Sequence, residues 1–130
     1  ISMSWAEVAP HRLGQVRYSF AKLYKDTGVS AEDVNRHLLD FGFQRFFASH
    51  HPLIVPEPFT PEPTESYSKA DIDEYVDALV QISNEAYTTP EVVLNAPYAG
   101  PISKLENDHI KDWRELCVTW RAYKKQNGLA

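Results

Sequence analysis

The chain has 130 residues, 43% of them hydrophobic and 24% charged, with a formal net charge of −5. That is the size and composition of one globular domain able to bury a core without disulfides. The acidic balance argues against nucleic acid or an anionic membrane as partner. No apolar run approaches the ~20 residues of a bilayer span, and a lone cysteine, Cys117, excludes an internal disulfide.

The start, Ile1 to Trp5, has no basic region followed by an apolar stretch and reads as the cut end of a longer chain. Residues 10–25 repeat apolar side chains (Leu13, Val16, Phe20, Leu23) at three- and four-residue spacing, which predicts an amphipathic helix. Gly28 suits the position just past its end. Ser30 with Asp33 three residues on predicts the cap of a short helix burying Val34, Leu38 and Phe41 and stopped by Gly42. The aromatic run 43–50 reads as a strand. Residues 51–63 hold Pro52, Pro56, Pro58, Pro61 and Pro63, a density that forbids helix and predicts an extended connection.

Ser68 caps the clearest helix, 69–87, with Asp71 early in it where the helix dipole favours an anion. Its expected buried face is Ile72, Tyr75, Val76, Leu79 and Ser83. Thr89-Pro90 breaks it, a short helical turn follows over 90–95, and Pro97 to Pro101 is loop. A last helix is predicted over 107–124, with Ile110, Trp113, Cys117 and Trp120 at helical spacing, and residues 126–130 should fray. The expected fold class is α+β, helices on one face of a small antiparallel sheet. An all-α domain is the alternative.

Most catalytic signatures are missing: the sequence has no phosphate loop, GxGxxG, GxSxG, HExxH or CxxC. Cys117 reads as a core residue. His50 and His51 are adjacent, so on a regular strand they point to opposite faces and cannot share a metal. No metal site is expected, but the following prolines would hold the pair rigidly at the mouth of a pocket. Glu62-Pro63-Thr64-Glu65-Ser66 places carboxylates and hydroxyls just before a helix. It is either a capping lead-in or a polar segment held out to a ligand. Arg12 and Arg17 read as a solvated helix face. Arg45, in Gln44-Arg45-Phe46-Phe47, puts a charge among aromatics at a strand edge or against a partner.

Taken in order, these segments resemble the C-terminal domain of the glycine decarboxylase family, the P-protein of the glycine cleavage system. The resemblance rests on HRLGQVRYSFAKLYKDTG (His11 to Gly28), VNRHLLDFGF (Val34 to Phe43), PLIVPEPFTPEPTESYSKADIDEYVDAL (Pro52 to Leu79), PEVVLNAPY (Pro90 to Tyr98) and WRAYKK (Trp120 to Lys125). It covers residues 11–125, with 1–10 as lead-in and 126–130 as tail. EPTES followed by a second serine and an acidic helix is its most specific element. Tyr98 stands where the family's Ala-Pro-His run has histidine, and Ser49-His50-His51-Pro52 departs from the family's more frequent His-x-Pro-Thr.

The resemblance implies the small domain of the aspartate-aminotransferase-like fold, in the branch where the decarboxylase is split into two subunits. It implies pyridoxal phosphate in the intact enzyme, a large domain of the same chain, subunit 1 and the lipoyl H-protein as partners, and a cytoplasmic location. The Schiff-base lysine of the family, in a Ser-His-Lys-like context, has no counterpart, since no lysine here follows a histidine. The piece itself is therefore expected to be non-catalytic and to hold no cofactor. By topological analogy with this fold, His50, His51, Glu62 and Thr64 face the pocket or the lipoyl entrance of the intact enzyme, and Glu65 and Ser66 tie down the helix start. Arg45, Phe46 and Phe47 face a partner. The rival expectation is a stand-alone interaction module that docks a protein through its aromatic and proline-rich segment.

Overall fold

A computed structural model describes residues 1–8, 10–11, 15–50, 53–101 and 119–129. Three two-residue strands form one antiparallel sheet: β1 (Ser2–Met3), β2 (Tyr18–Ser19) and β3 (Pro58–Phe59), in that spatial order. Ser2 pairs with Ser19, and Tyr18 with Phe59. The segment expected as a lead-in thus supplies one strand. Around the sheet run α1 (Ala21–Thr27), α2 (Ala31–His37) with a 3-10 turn over Leu38–Phe41, the long α3 (Lys69–Thr88), α4 (Pro90–Leu94) and α5 (Trp120–Gln126). The fold is α+β, and the strand pairing overturns the all-α alternative.

The helix expected over 10–25 begins only at Ala21; Gln15 to Arg17 are not helical and Tyr18–Ser19 is strand. Ser19 explains the delay. Its hydroxyl donates to the Pro56 carbonyl (2.6 Å) and accepts the Ala21 amide (3.1 Å), while the Phe20 amide donates to Glu57 O (2.9 Å). A serine that bonds local backbone in an extended conformation competes with helix. Glu57 holds a left-handed backbone (φ 48°), a strain of about 1–2 kcal/mol for a non-glycine residue. Its carboxylate accepts the Ala31 amide (2.6 Å) in the first turn of α2, which offsets that cost.

Both capping boxes form. Ser30 accepts the Asp33 amide and Asp33 accepts the Ser30 amide; Ser68 and Asp71 do the same for α3. Gly28 and Gly42 take left-handed φ of 79° and 81° at the ends expected. The core gathers Phe20, Leu23, Val29, Val34, Leu38, Phe59, Leu79, Ile82, Ala86 and Val93. Each large member stabilises the fold by about 1.5–3 kcal/mol through burial.

Three further expectations are corrected. Residues 43–50 make one isolated bridge, Phe47 with Thr60, rather than a strand. The side chain of Asn35 takes both backbone groups of Phe46: the Phe46 amide donates to Oδ1 (2.8 Å) and Nδ2 donates to the Phe46 carbonyl (3.2 Å), leaving nothing there for a ladder. The buried face of α3 is Tyr75, Ala78, Leu79, Ile82 and Ala86, whereas Ile72 and Val76 are exposed. Phe41 lies at the surface, its ring edge-on to His37. Most of the helix expected over 107–124, with Ile110, Trp113 and Cys117, lies outside the described residues. Thr119 is an extended N-cap accepting the Ala122 amide (3.1 Å), so α5 starts afresh at Trp120.

Candidate functional site

The residues singled out in the sequence lie along the segment that leaves the 3-10 turn and returns through β3 to α3. Arg45 is ion-paired with Glu32, both half exposed, an arrangement that contributes little to stability. Phe46 turns its ring inward, 4.7 Å from Phe59 and 6.1 Å from Phe20, and packs partly buried against the core. Phe47 is 42% exposed, with the ring of His50 at 5.0 Å. The Thr60 amide donates to the Phe47 carbonyl (3.0 Å) and its hydroxyl to the Ala48 carbonyl (2.7 Å), which holds the Phe47–Ala48 backbone beside the end of β3.

His51 lies outside the described residues. Glu62 is exposed and accepts from the Gln15 amide group. Thr64 is exposed as well: its hydroxyl accepts the Ser66 amide (3.4 Å) and its carbonyl the Tyr67 amide (3.2 Å), a turn that delivers the chain to Ser68 and α3. Phe47 and His50 are therefore brought together. Among the described residues no hydrogen bond or ring contact joins His50 to Glu62 or Thr64.

A denser polar cluster lies elsewhere, and sequence reasoning missed it. His37, at the end of α2, is buried with both ring nitrogens on carboxylates: Nδ1 to Asp40 and Nε2 to Glu85, each at 2.8 Å. Both can donate only if the ring carries both protons. Asp40 also accepts the amides of Tyr98 (2.6 Å) and Ala99 (2.7 Å). Burial would raise the Asp40 carboxyl, but the Ala99 amide, the His37 ring and the Tyr98 amide outweigh it and hold the group below the ordinary carboxylate range.

Arg36, ion-paired with Asp33, donates from Nε to the Ala96 carbonyl (3.3 Å). The Tyr98 hydroxyl donates to the Val92 carbonyl (2.8 Å), and its ring stands edge-on to His37 at 6.2 Å. The turn after α4 is thus gripped by Arg36 from α2 and by Asp40 from the 3-10 turn, with α3 tied in through Glu85. The i,i+3 spacing of His37 and Asp40 was visible in the sequence. Glu85, 48 residues further on, carried no signal.

This cluster reads as a clamp: its groups bond one another, and neither of two hollows among the described residues is lined by His37, Asp40, Glu85 or Tyr98. The larger hollow, about 360 Å³, lies against α3 and is lined by Phe41, Phe43, Glu74, Asp77, Ala78 and Gln81, with no cation in its wall. The other, about 30 Å³ beside Lys22, has room for little more than a water, and Lys22 is paired with Asp26. The cofactor expected of the intact enzyme needs a desolvated amine for its aldehyde and cations or free amides for its phosphate. Lys22, Lys25, Lys69 and Lys125 are exposed, Lys69 is also ion-paired, and Lys124 is half-exposed on α5. The described residues do not by themselves fit pyridoxal phosphate. Nor do they include a group of three or more His, Cys, Asp or Glu able to hold a metal.

Comparison with known proteins places this architecture. Residues 15–98 match the family model described as glycine dehydrogenase, C-terminal domain, a span that holds every side chain of the clamp and the segment from Arg45 to Thr64. The chain is 43% identical over 114 residues to a probable glycine dehydrogenase (decarboxylating) subunit 2 of Pyrococcus furiosus, covering 88% of this chain and 22% of that protein. A protein of the same description from Thioalkalivibrio sulfidiphilus is 43% identical over 100 residues, 77% of this chain and 20% of its own length. The chain spans about a fifth of the length of these curated relatives. By the family match over most of its described core, and by the α+β fold that the match covers, the chain belongs to the glycine dehydrogenase C-terminal domain family.

Proposed function

We propose that this chain serves as the small C-terminal domain of a pyridoxal-phosphate-dependent glycine decarboxylase, the second subunit of a split P-protein. The observation that carries the reading is the 43% identity over 88% of the chain to a decarboxylating glycine dehydrogenase subunit 2. In such an enzyme the cofactor serves as electron sink for loss of CO2 from glycine, and the remaining aminomethyl group passes to the lipoyl arm of an H-protein. The lysine and phosphate cup belong to the large domain of the same polypeptide, and subunit 1 completes the assembly. No chemical step is assigned to the described residues.

Their part is to fold into a rigid cap beside the site. The His37 clamp fixes the Ala96–Ala99 turn to α2 and α3, and Thr60, just past β3, holds the backbone of Phe47 and Ala48. Thr64, Glu62, His50 and His51 are the polar groups proposed to face the pocket or the lipoyl entrance, with Arg45 and Phe47 toward a partner. No helix among the described residues is long and apolar enough to cross a membrane, which is compatible with the cytoplasmic location we propose. The stand-alone interaction module is not favoured, because the relatives carry this sequence within chains about five times longer.

Deletion of residues 15–98 from the complete subunit tests the reading. Glycine–bicarbonate exchange, assayed with subunit 1 and H-protein, should be lost and should return when the domain is restored. Full exchange without the domain would refute it.

A further inference from the structure

An amphipathic helix in a small domain buries one apolar face and turns the rest to water. α3 has a second apolar row. Its inner face, Tyr75, Ala78, Leu79, Ile82 and Ala86, meets the core. Roughly a third of a turn away, Ile72 (40% exposed), Val76 (48%) and Val80 (53%) line up along the helix, and Tyr87 (52%) continues the row with its ring exposed while its hydroxyl donates to Asp26 of α1. Single exposed apolar side chains need no explanation, but a continuous row marks an interaction surface. This one runs for about 22 Å at 1.5 Å per residue. Asp73 and Asp77 border it, one helical turn apart. Asp73 is paired with Lys69, whereas among the described residues no cation pairs with Asp77.

We propose that this row is the docking face for the rest of the glycine dehydrogenase polypeptide, which meets it with an apolar strip and a lysine or arginine opposite Asp77. The inference rests on the functional reading above. Two observations select the occupant. The relatives devote about four fifths of their length to chain beyond the matched part, enough to supply a large neighbour always present. Asp77, at the edge of the row and without a cation among the described residues, calls for one from that neighbour, as polar rims around apolar interface cores do. Contacts of this kind between domains of one chain bury areas that a 20-residue helix can present.

The test is chemical access. Val76→Cys and Val80→Cys, made singly with Cys117→Ser, are treated with a maleimide in this 130-residue chain and in the complete subunit that carries it, and the α3 peptide is followed by mass spectrometry. Labelling is expected to be fast in the short chain and in the denatured subunit, and at least about tenfold slower in the native subunit. Asp77→Lys in the native subunit is expected to raise the slow rate several-fold; no change refutes the paired cation. Equal rates in the short chain and the native subunit overturn the proposal. Slow labelling already in the short chain overturns it too, because this chain or a second copy then covers the row. Glycine–bicarbonate exchange by the complete subunit is measured alongside: its absence would refute the functional reading, while fast labelling of an active subunit would refute only the docking face.

Discussion

Asp40 tests whether the His37 clamp holds this domain together. Asp40→Ala removes one carboxylate and with it three hydrogen bonds, from His37 Nδ1 at 2.8 Å and from the Tyr98 and Ala99 amides at 2.6 and 2.7 Å. A hydrogen bond to a charged group contributes about 1.5–3 kcal/mol when its partners stay dry. Tyr98 and Ala99 are exposed, so water replaces part of what their amides lose. His37 is buried and gets no such relief, and it is left facing Glu85 alone. The sum is about 2–3 kcal/mol, read as a fall in the urea midpoint with the slope unchanged. The pH dependence follows from the lowered carboxyl. Asp40 stabilises the fold fully above its unfolded value near ~4, and that contribution is lost as pH falls through the lower folded value. The gap between wild type and Asp40→Ala should therefore be wide at neutral pH and close in strong acid. A gap below about 0.5 kcal/mol at neutral pH, the range of an ordinary surface change, would refute the clamp.

Phe46→Ala should cost about 2–3 kcal/mol in urea unfolding, because its ring packs on Phe20 and Phe59, whereas Phe47→Ala should cost under about 1 kcal/mol. Burial pushes the Tyr75 phenol up to about 12; a spectrophotometric titration should find a late-ionising tyrosine that disappears in Tyr75→Phe, and stability should fall as pH rises between the unfolded value of ~10 and that folded value. Mixed with pyridoxal phosphate, this chain should give no stoichiometric, borohydride-reducible band on a single lysine. In the complete enzyme, Thr64→Val should change glycine–bicarbonate exchange by more than about twofold, or ~0.4 kcal/mol of barrier, with α3 intact by circular dichroism; a smaller change would confine Thr64 to its turn.

What the sequence disclosed was what neighbours in the chain decide. Ser30 with Asp33 and Ser68 with Asp71 sit three residues apart, and each pair satisfies amides that any helix start leaves open, so both caps could be read directly. Gly28 and Gly42 mark two helix ends where the chain takes a positive φ. Thr64 to Ser66 was legible as a helix lead-in for the same reason, and the structure gives it that local geometry.

What stayed hidden was decided by partners far away. Apolar spacing over 10–25 fits a helix, yet the Pro56 carbonyl and Glu57 claim Ser19 and Phe20 for the sheet, and neither is visible from a window of 15 residues. Phe46 and Phe47 are indistinguishable in sequence; Asn35 chooses between them by holding the Phe46 backbone. Nor can composition say which part of a broad apolar arc on α3 meets the core. Ile72, Tyr75, Val76, Leu79 and Ser83 formed one reasonable face, and the true inner face lies partway around. That error has a physical cause. A helix whose apolar arc is wide enough to be read two ways has more apolar surface than one small domain can cover. The ambiguity that defeated the periodicity is therefore the same property that leaves Ile72, Val76, Val80 and Tyr87 exposed in this chain.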